Sequence, residues 1–372
     1  MELKNKLKVR DIVRFLEEWA PPVLQESYDN SGLIVGDRND EVSKVLISLD
    51  CTEEVVQEAI DLGAELIISH HPIVFKGLKS FTGANYVERT VIKAIRSGIS
   101  LYAIHTNLDN VKTGVNYELA TALGCDADSL QILRPKDEQL DHIVVFCPKG
   151  SADEVKQTMH NAGAGAIGNY DECSFSVSGE GAFRPKHNAT PYIGDVGELE
   201  KVGEVRVEMI CERWKSGAVI SAAKTAHPYE EMAHYVTHLS NKDKTIGSGM
   251  IGKLKNPVSW DEFLSVLKNK LGATHVKHTK PTGDMLSKVA VCGGSGSFLL
   301  KDAMAKNADV FVTSDFKYHE FFDADGKIII ADVGHYESEW RTSSLIVNKL
   351  KGKFTNFAFL LASANTNPVQ IS

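Results

Sequence analysis

Short apolar runs alternate with amphipathic stretches along the first 133 residues, and nothing else in the chain constrains the fold as tightly. KVLISLD (44–50) reads as a strand, and TEEVVQEAIDLG (52–63) as the helix after it, capped by Thr52 and closed by Gly63. The run ending in LIISHH is the next strand, followed by a helix over 85–98, a strand over 99–106 and a helix over 114–124. A leading helix covers residues 8–19, where apolar residues recur at helical spacing. Apolar strands separated by amphipathic helices predict an α/β body with a largely buried sheet.

The texture changes after Leu133 and reverts after residue 244. Strands are expected over 141–150, 204–212 and 232–240, and helices over 151–163 and 215–227. A Gly- and Asn-rich loop region, with GAGAIGNYD and GEGAFRP, lies among them. This order predicts a separate ferredoxin-like α+β domain over residues 134–244. The α/β pattern then resumes with a helix over 259–272 capped by Ser259 and a strand, Gly-rich turn and helix over 288–307. Strands over 308–315 and 326–334, a helix over 337–352 and a last strand within 356–368 complete it. The expected fold class is therefore α/β: residues 1–133 and 245–372 form one two-part body, interrupted by the insert.

Composition narrows the function. The formal charge of -8 offers no global basic field, so nucleic acid is not an expected partner. Six cysteines without any C-x-x-C pair argue against a zinc ribbon or a disulfide framework and fit a reducing cytosol. The N-terminus has no apolar core of a signal peptide, and no run of about 18 apolar residues could span a bilayer. A cytoplasmic protein acting on a small molecule is expected.

Polar residues end the strands. LIISHHPIVF (66–75) places His70 and His71 at a strand terminus where Pro72 forces the backbone to turn. AIHTNLDN gives His105 and Asp109, VFVTSDFKYHE gives Asp315 and His319, and ADVGHYESE gives Asp332, His335 and Glu339. If a helix begins near His335, then His335 and Glu339 share one face. Ligand sites in α/β sheets collect beyond the carboxyl ends of strands. Imidazole and carboxylate are the ligand set for zinc, iron(II) or manganese. One carboxylate can bridge two ions, which two-metal sites hold roughly 3.5–4 Å apart. A single strand-end histidine is more often structural, and Asp109 could cap a helix. Their recurrence at four strand ends points to a metal site. CGGSGS (292–297) fits either a phosphate-binding helix start or a plain tight turn. HPYEE (227–231) reads as a solvated turn, and the cluster of His275, Lys277, His278 and Lys280 as a surface loop.

YDNSGLIVGD (28–37), ISHHPIVFKGLKS (68–80), IHTNLDN (104–110), VAVCGGSGS (289–297), VTSDFKYHE (312–320) and DVGHYESE (332–339) together resemble the signature blocks of the NIF-three-like family. Its members are often labelled GTP cyclohydrolase type 2 homologs. The central segment resembles the PII/CutA-like insert of the longer bacterial members. The resemblance implies a dinuclear site for two divalent ions per chain, zinc, iron or manganese. His71 and Asp109 would hold one ion, His70 and His335 the other, and Glu339 would bridge. His105 resembles a histidine lining the same pocket, as a ligand or as support to one. The resemblance also implies a toroidal homohexamer, a trimer of dimers, with metal sites facing an internal cavity whose openings the insert caps or gates. One departure is Ser314, where many members carry glycine; serine fits there only with an ordinary backbone angle.

The leading functional expectation is a metal-dependent hydrolase acting on a nucleotide or phosphoester, with His105 or His319 shuttling protons. The family label implies opening of the guanine imidazole ring of GTP with loss of formate. The residues themselves do not select that reaction over phosphoester hydrolysis. Two non-enzymatic readings stand beside it: a metal-bound regulatory or sensor scaffold using the insert, and a metal chaperone or store. Loss of activity with retained assembly on Glu339→Gln would favour the enzyme. A metabolite bound by the insert without turnover would favour the sensor.

Overall fold

A computed structural model describes residues 7–371. The chain divides into two compact units, one running to Arg134 and resuming at Thr245, the other Pro135–Lys244.

The larger unit contains two sheets. In the first, the strand order is Ala358–Leu361, Lys44–Ser48, Leu66–Ser69, Ser100–Ala103, Gly32–Val35. The first four of these run parallel, and Gly32–Val35 closes the edge antiparallel. Ser48 pairs with Ser69 and Ser69 with Ala103, so the carboxyl ends of three strands finish level. The second sheet has the order Lys277–His278, Ile329–Asp332, Val310–Ser314, Leu286–Ser295, Gly247–Val258, Gln131–Pro135. Its three middle strands, Leu286–Ser295, Val310–Ser314 and Ile329–Asp332, are parallel. Each sheet thus presents a row of parallel strand ends.

Local chemistry accounts for the helices that set these rows. Glu53–Leu62 starts where the Thr52 side chain accepts from Val55 N, and stops at Gly63, whose φ of 65° is the left-handed angle glycine tolerates. Trp260–Leu271 begins with a capping box between Ser259 and Glu262. Its Phe263, Leu267 and Leu271 are fully buried against Val289, Val291, Val310 and Val312 of the second sheet. The single helix expected over 337–352 is two: His335–Glu339 and Arg341–Lys353. The separate short turn lets residues 335–339 answer to the site, while Ile346, Val347 and Leu350 of the longer helix answer to the core. Ser314 ends its strand, and the left-handed angle falls on Asp315 (φ 60°) instead, so serine is accommodated without strain.

The smaller unit is one antiparallel sheet, ordered His234–Leu239, Leu140–Pro148, Glu200–Glu212, Phe175–Phe183, with helices Ala152–Asn161 and Ser216–Ala226. Its core joins Ile143, Val145, Val155, Met159, Val207, Met209 and Val219. Phe175–Phe183 falls where the sequence suggested loop. It is an edge strand whose side chains are mostly exposed, so it lacks the apolar alternation that marks a half-buried strand. All six cysteines are free. Among the described residues no helix is long and apolar enough to cross a membrane.

Candidate metal centre

The parallel strand ends of both sheets deliver their polar residues to one place. His70 and His71 follow Leu66–Ser69, and His105 follows Ser100–Ala103 and leads into the short helix Thr106–Asp109. From the second sheet, Asp315 follows Val310–Ser314, and the turn after Ile329–Asp332 begins the helix His335–Glu339. That helix starts at His335, so His335 and Glu339 do share a face: His335 Nε2 lies 3.1 Å from Glu339 Oε2. Ligand-type atoms of His70, Asp109 and Glu339 lie within 4.8 Å of one another, as do those of His71, His335 and Glu339, and those of His70, His71 and His105. Glu339 belongs to two of these groups and is 3% exposed. The pairing implied by the resemblance crosses these groups, since here His70 falls with Asp109 and His71 with His335.

Each imidazole is steered from behind. His71 Nδ1 bonds Asp50 Oδ1 at 2.7 Å, His105 Nδ1 bonds Asp29 Oδ1 at 2.7 Å, and His335 Nδ1 bonds Asp315 Oδ2 at 2.6 Å. His70 Nδ1 donates to the Ile104 carbonyl at 2.8 Å. Tying Nδ1 in this way fixes the ring and turns Nε2 inward, as supporting carboxylates and carbonyls do for metal-binding histidines. The aspartates are themselves held. Thr366 Oγ1 donates to Asp50 Oδ2 at 2.6 Å, Ser295 Oγ donates to Asp315, and Asp29 accepts from the backbone and hydroxyl of Thr106.

Two atoms test whether a cation fits. His70 Nε2 and Asp109 Oδ1 are buried, have no hydrogen-bond partner, and face each other across 3.7 Å. That gap is too wide for a hydrogen bond, and leaving two buried polar atoms unsatisfied is costly. Both atoms carry lone pairs, so a divalent cation would satisfy the pair together with Glu339 Oε1, which lies 4.0 Å from His70 Nε2.

Charge follows from the same contacts. Burial opposes protonation of His71 and His335. Hydrogen bonds to Asp50 and Glu339 outweigh it and push His71 up to about 10, and bonds to Asp315 and Glu339 push His335 up to about 11. Burial also disfavours the Glu339 carboxylate, but His335 and His71 hold it well below the usual carboxylate range. His70, with burial dominant, falls to about 3 and is neutral. Burial and the neighbouring Glu339 push Asp109 well above its ordinary value.

The Gly-rich turn has a definite role here. A Cβ on Gly294 would stand 2.5 Å from Glu339 Oε1 and 3.3 Å from His335 Cε1, and one on Gly293 would stand 3.3 Å from Glu339 Cγ. Gly294 N donates to Ser338 Oγ, and Thr313 Oγ1 donates to the Gly294 carbonyl, which pins the turn against the helix. CGGSGS therefore makes room for a carboxylate of the same chain.

Of the residues singled out from sequence, His70, His71, His105, Asp109, His335 and Glu339 are brought together, whereas His319 lies exposed, stacked on Phe322, outside all three groups. Asp29 and Asp50 had no role assigned to them from sequence. Asp50 ends a strand as the others do, and Asp29 sits in one of the quoted blocks, but their histidine partners are 21 and 76 residues away, respectively.

Two sheets aiming imidazoles and carboxylates at a shared buried glutamate define an α/β protein with a centre that could hold divalent metal. The chain belongs to the Duf34/NIF3 (NGG1p interacting factor 3) family, whose profile matches residues 7–368. It is 37% identical to a Halalkalibacterium halodurans protein named "GTP cyclohydrolase 1 type 2 homolog" over 363 residues, covering 96% of this chain and 97% of that one. A Bacillus subtilis protein of the same name is 37% identical over 329 residues, 88% of each chain. A solved Bacillus cereus protein related to NIF3 superposes with a TM-score of 0.86 at 38% identity, covering 98% of this chain and 99% of the other.

Proposed function

We propose that the chain is a metal-dependent hydrolase with a two-cation centre, in which His70 and Asp109 hold one ion, His71 and His335 hold the other, and Glu339 bridges. The observation that carries this reading is the pair of buried, unpartnered atoms on His70 and Asp109 beside a glutamate common to both ligand groups. Bound divalent cations supply Lewis acidity toward a substrate oxygen and make water acidic near neutral pH. The protein's own groups do the rest. Glu339 offsets repulsion between two nearby positive charges. Asp50 and Asp315 accept from Nδ1 of His71 and His335, so each Nε2 would be the atom offered to a bound cation. His105, anchored by Asp29 through Nδ1, has its ring 5.3 Å from those of His70 and His71 and can move a proton at its other nitrogen.

The names carried by the relatives favour a nucleotide as substrate, the two-cation chemistry suits a phosphoester equally, and the ligand set suits zinc, iron(II) or manganese. Three further proposals accompany the family: that residues 134–244 form a ferredoxin-like, PII-type insert, that the chain assembles as a hexameric ring, and that it works in the cytoplasm. The strand order of the smaller unit supports the first.

The test is elemental analysis of the natively purified protein, followed by a hydrolysis screen of nucleotides and phosphoesters with the metal found. Two equivalents per chain are expected. Glu339→Gln should keep its fold while losing at least one ion and the activity. A Gln variant that retains both ions and its melting temperature refutes the bridging role. Light scattering on the same samples tests the ring.

A further inference from the structure

A cleft of ≈ 810 Å³ opens beside His71, within the size range of small-molecule sites. His71 and Asp50 lie on its lining, so it reaches the candidate metal centre directly. Its walls are otherwise largely apolar: Ile73, Phe75, Leu78, Tyr86 and Val87. Phe75 is 43% and Tyr86 63% exposed, large aromatic surfaces left to solvent next to the centre. The Phe75 ring also stands 6.2 Å from that of His105 and 6.1 Å from that of Tyr28, so the aromatic wall continues around the histidines.

Lys76 is the cleft's one lysine. Among the described residues it makes no hydrogen bond or ion pair. The only carboxylate lining the cleft, Asp50, is committed to His71 and Thr366. An uncommitted ammonium beside an apolar aromatic wall is suited to an anion attached to a flat ring: the ring stacks, and the anion takes a charge-assisted hydrogen bond.

We propose that Phe75, Lys76 and Tyr86 form the subsite for the non-reacting part of the substrate, and that this part is a planar ring bearing a phosphate or carboxylate group. The proposal rests on the hydrolytic reading for the word substrate, but the subsite itself is built from residues outside the ligand set. It makes the loop that follows the histidine pair the source of specificity, as loops held on a rigid sheet commonly are.

Isothermal titration calorimetry on the protein as purified tests it with three probes: 1-naphthyl phosphate, 1-naphthoate and inorganic phosphate. The naphthyl anions should bind more tightly than inorganic phosphate, and the tighter of the two identifies the preferred anion. Lys76→Met should weaken the naphthyl anions roughly tenfold. Phe75→Ala should weaken them similarly and leave inorganic phosphate unchanged. Metal content should stay at the wild-type level in both variants. Unchanged naphthyl binding in both variants, or inorganic phosphate binding as tightly as naphthyl phosphate, overturns the subsite. If the protein carries no metal yet Lys76-dependent binding persists, the subsite stands and the hydrolase reading falls. If metal is present and the Lys76 dependence is absent, the subsite alone falls.

Discussion

Gly294→Ala asks the most of the smallest change. The residue has φ of +62°, and its missing Cβ is what keeps Glu339 Oε1 in place. Two costs follow. A left-handed angle costs an L-residue roughly 1–2 kcal/mol. The new methyl also sits 2.5 Å from the carboxylate oxygen, so the pair must separate by about 1 Å to reach ordinary van der Waals contact near 3.5 Å. Glu339 is buried, its Cγ already faces Gly293 and its other oxygen contacts His71 and His335, so the carboxylate cannot yield by that much without disturbing those contacts. Metal sites tolerate displacements of only about 0.2 Å in their ligand distances. Gly294→Ala should therefore bind metal at least tenfold more weakly and melt at a lower temperature. Gly326→Ala separates the two costs. Gly326 has nearly the same angle, +64°, with nothing within 4 Å of its Cβ position. It should lose stability in a thermal melt by the backbone strain alone and keep its full metal content. Metal titration and calorimetric melts on both variants decide the matter. Equal metal content in the two would refute the claim that the Gly-rich turn exists to admit Glu339.

Other expectations are independent of that turn. Thr366→Val keeps the side-chain shape and removes the hydroxyl on Asp50, which itself supports His71, so metal affinity should fall in a competition titration by less than the roughly tenfold that loss of Asp50 would cause. Glu88 accepts from Thr82, Ala84 and Ser80, and these bonds hold its carboxyl down to about 2 from an ordinary 4.5. A depressed folded value means the stabilisation is full above the unfolded value and disappears as pH falls toward 2. Glu88→Gln should thus melt below wild type at pH 7, and the gap should close in melts run between pH 4.5 and 2. Replacing Pro135–Lys244 with a short Gly/Ser linker should leave the remaining unit folded with its metal content intact; aggregation of that protein on purification would count against the boundary.

Much of the centre was legible because its signals are local. Pro72 breaks the strand after the histidine pair, and His335 and Glu339 are spaced by one helical turn, so both features show in a few consecutive letters. Asp50 and Asp29 were not legible as partners because an aspartate after a strand or in a turn has many uses. Only the folded chain sets Asp50 behind His71 and Asp29 behind His105. Asp315 was seen at a strand end beside His319, but it serves His335. The alternation of apolar runs exposed the parallel strands, whose residues are buried on both faces. It could not expose Phe175–Phe183, an edge strand with two glycines and little buried surface. Gly247–Val258 escaped for a related reason: it opens with Gly-Ser-Gly and becomes exposed in its second half.

His71 and Glu339 meet at 2.9 Å but are 268 residues apart in the chain. During synthesis four strands of the first sheet, Gly32–Val35, Lys44–Ser48, Leu66–Ser69 and Ser100–Ala103, can form with their histidines in place while the glutamate and the edge strand Ala358–Leu361 have yet to be made. At about 5–20 residues per second that interval lasts on the order of ten seconds or more. Through it the nascent chain presents a strand-end histidine pair that has Asp50 and Asp109 but lacks Glu339, and a chain stopped before residue 339 never acquires it. Any cation that needs Glu339 is therefore gained only once synthesis has passed residue 339, and its presence marks a chain in which both halves of the larger unit have come together.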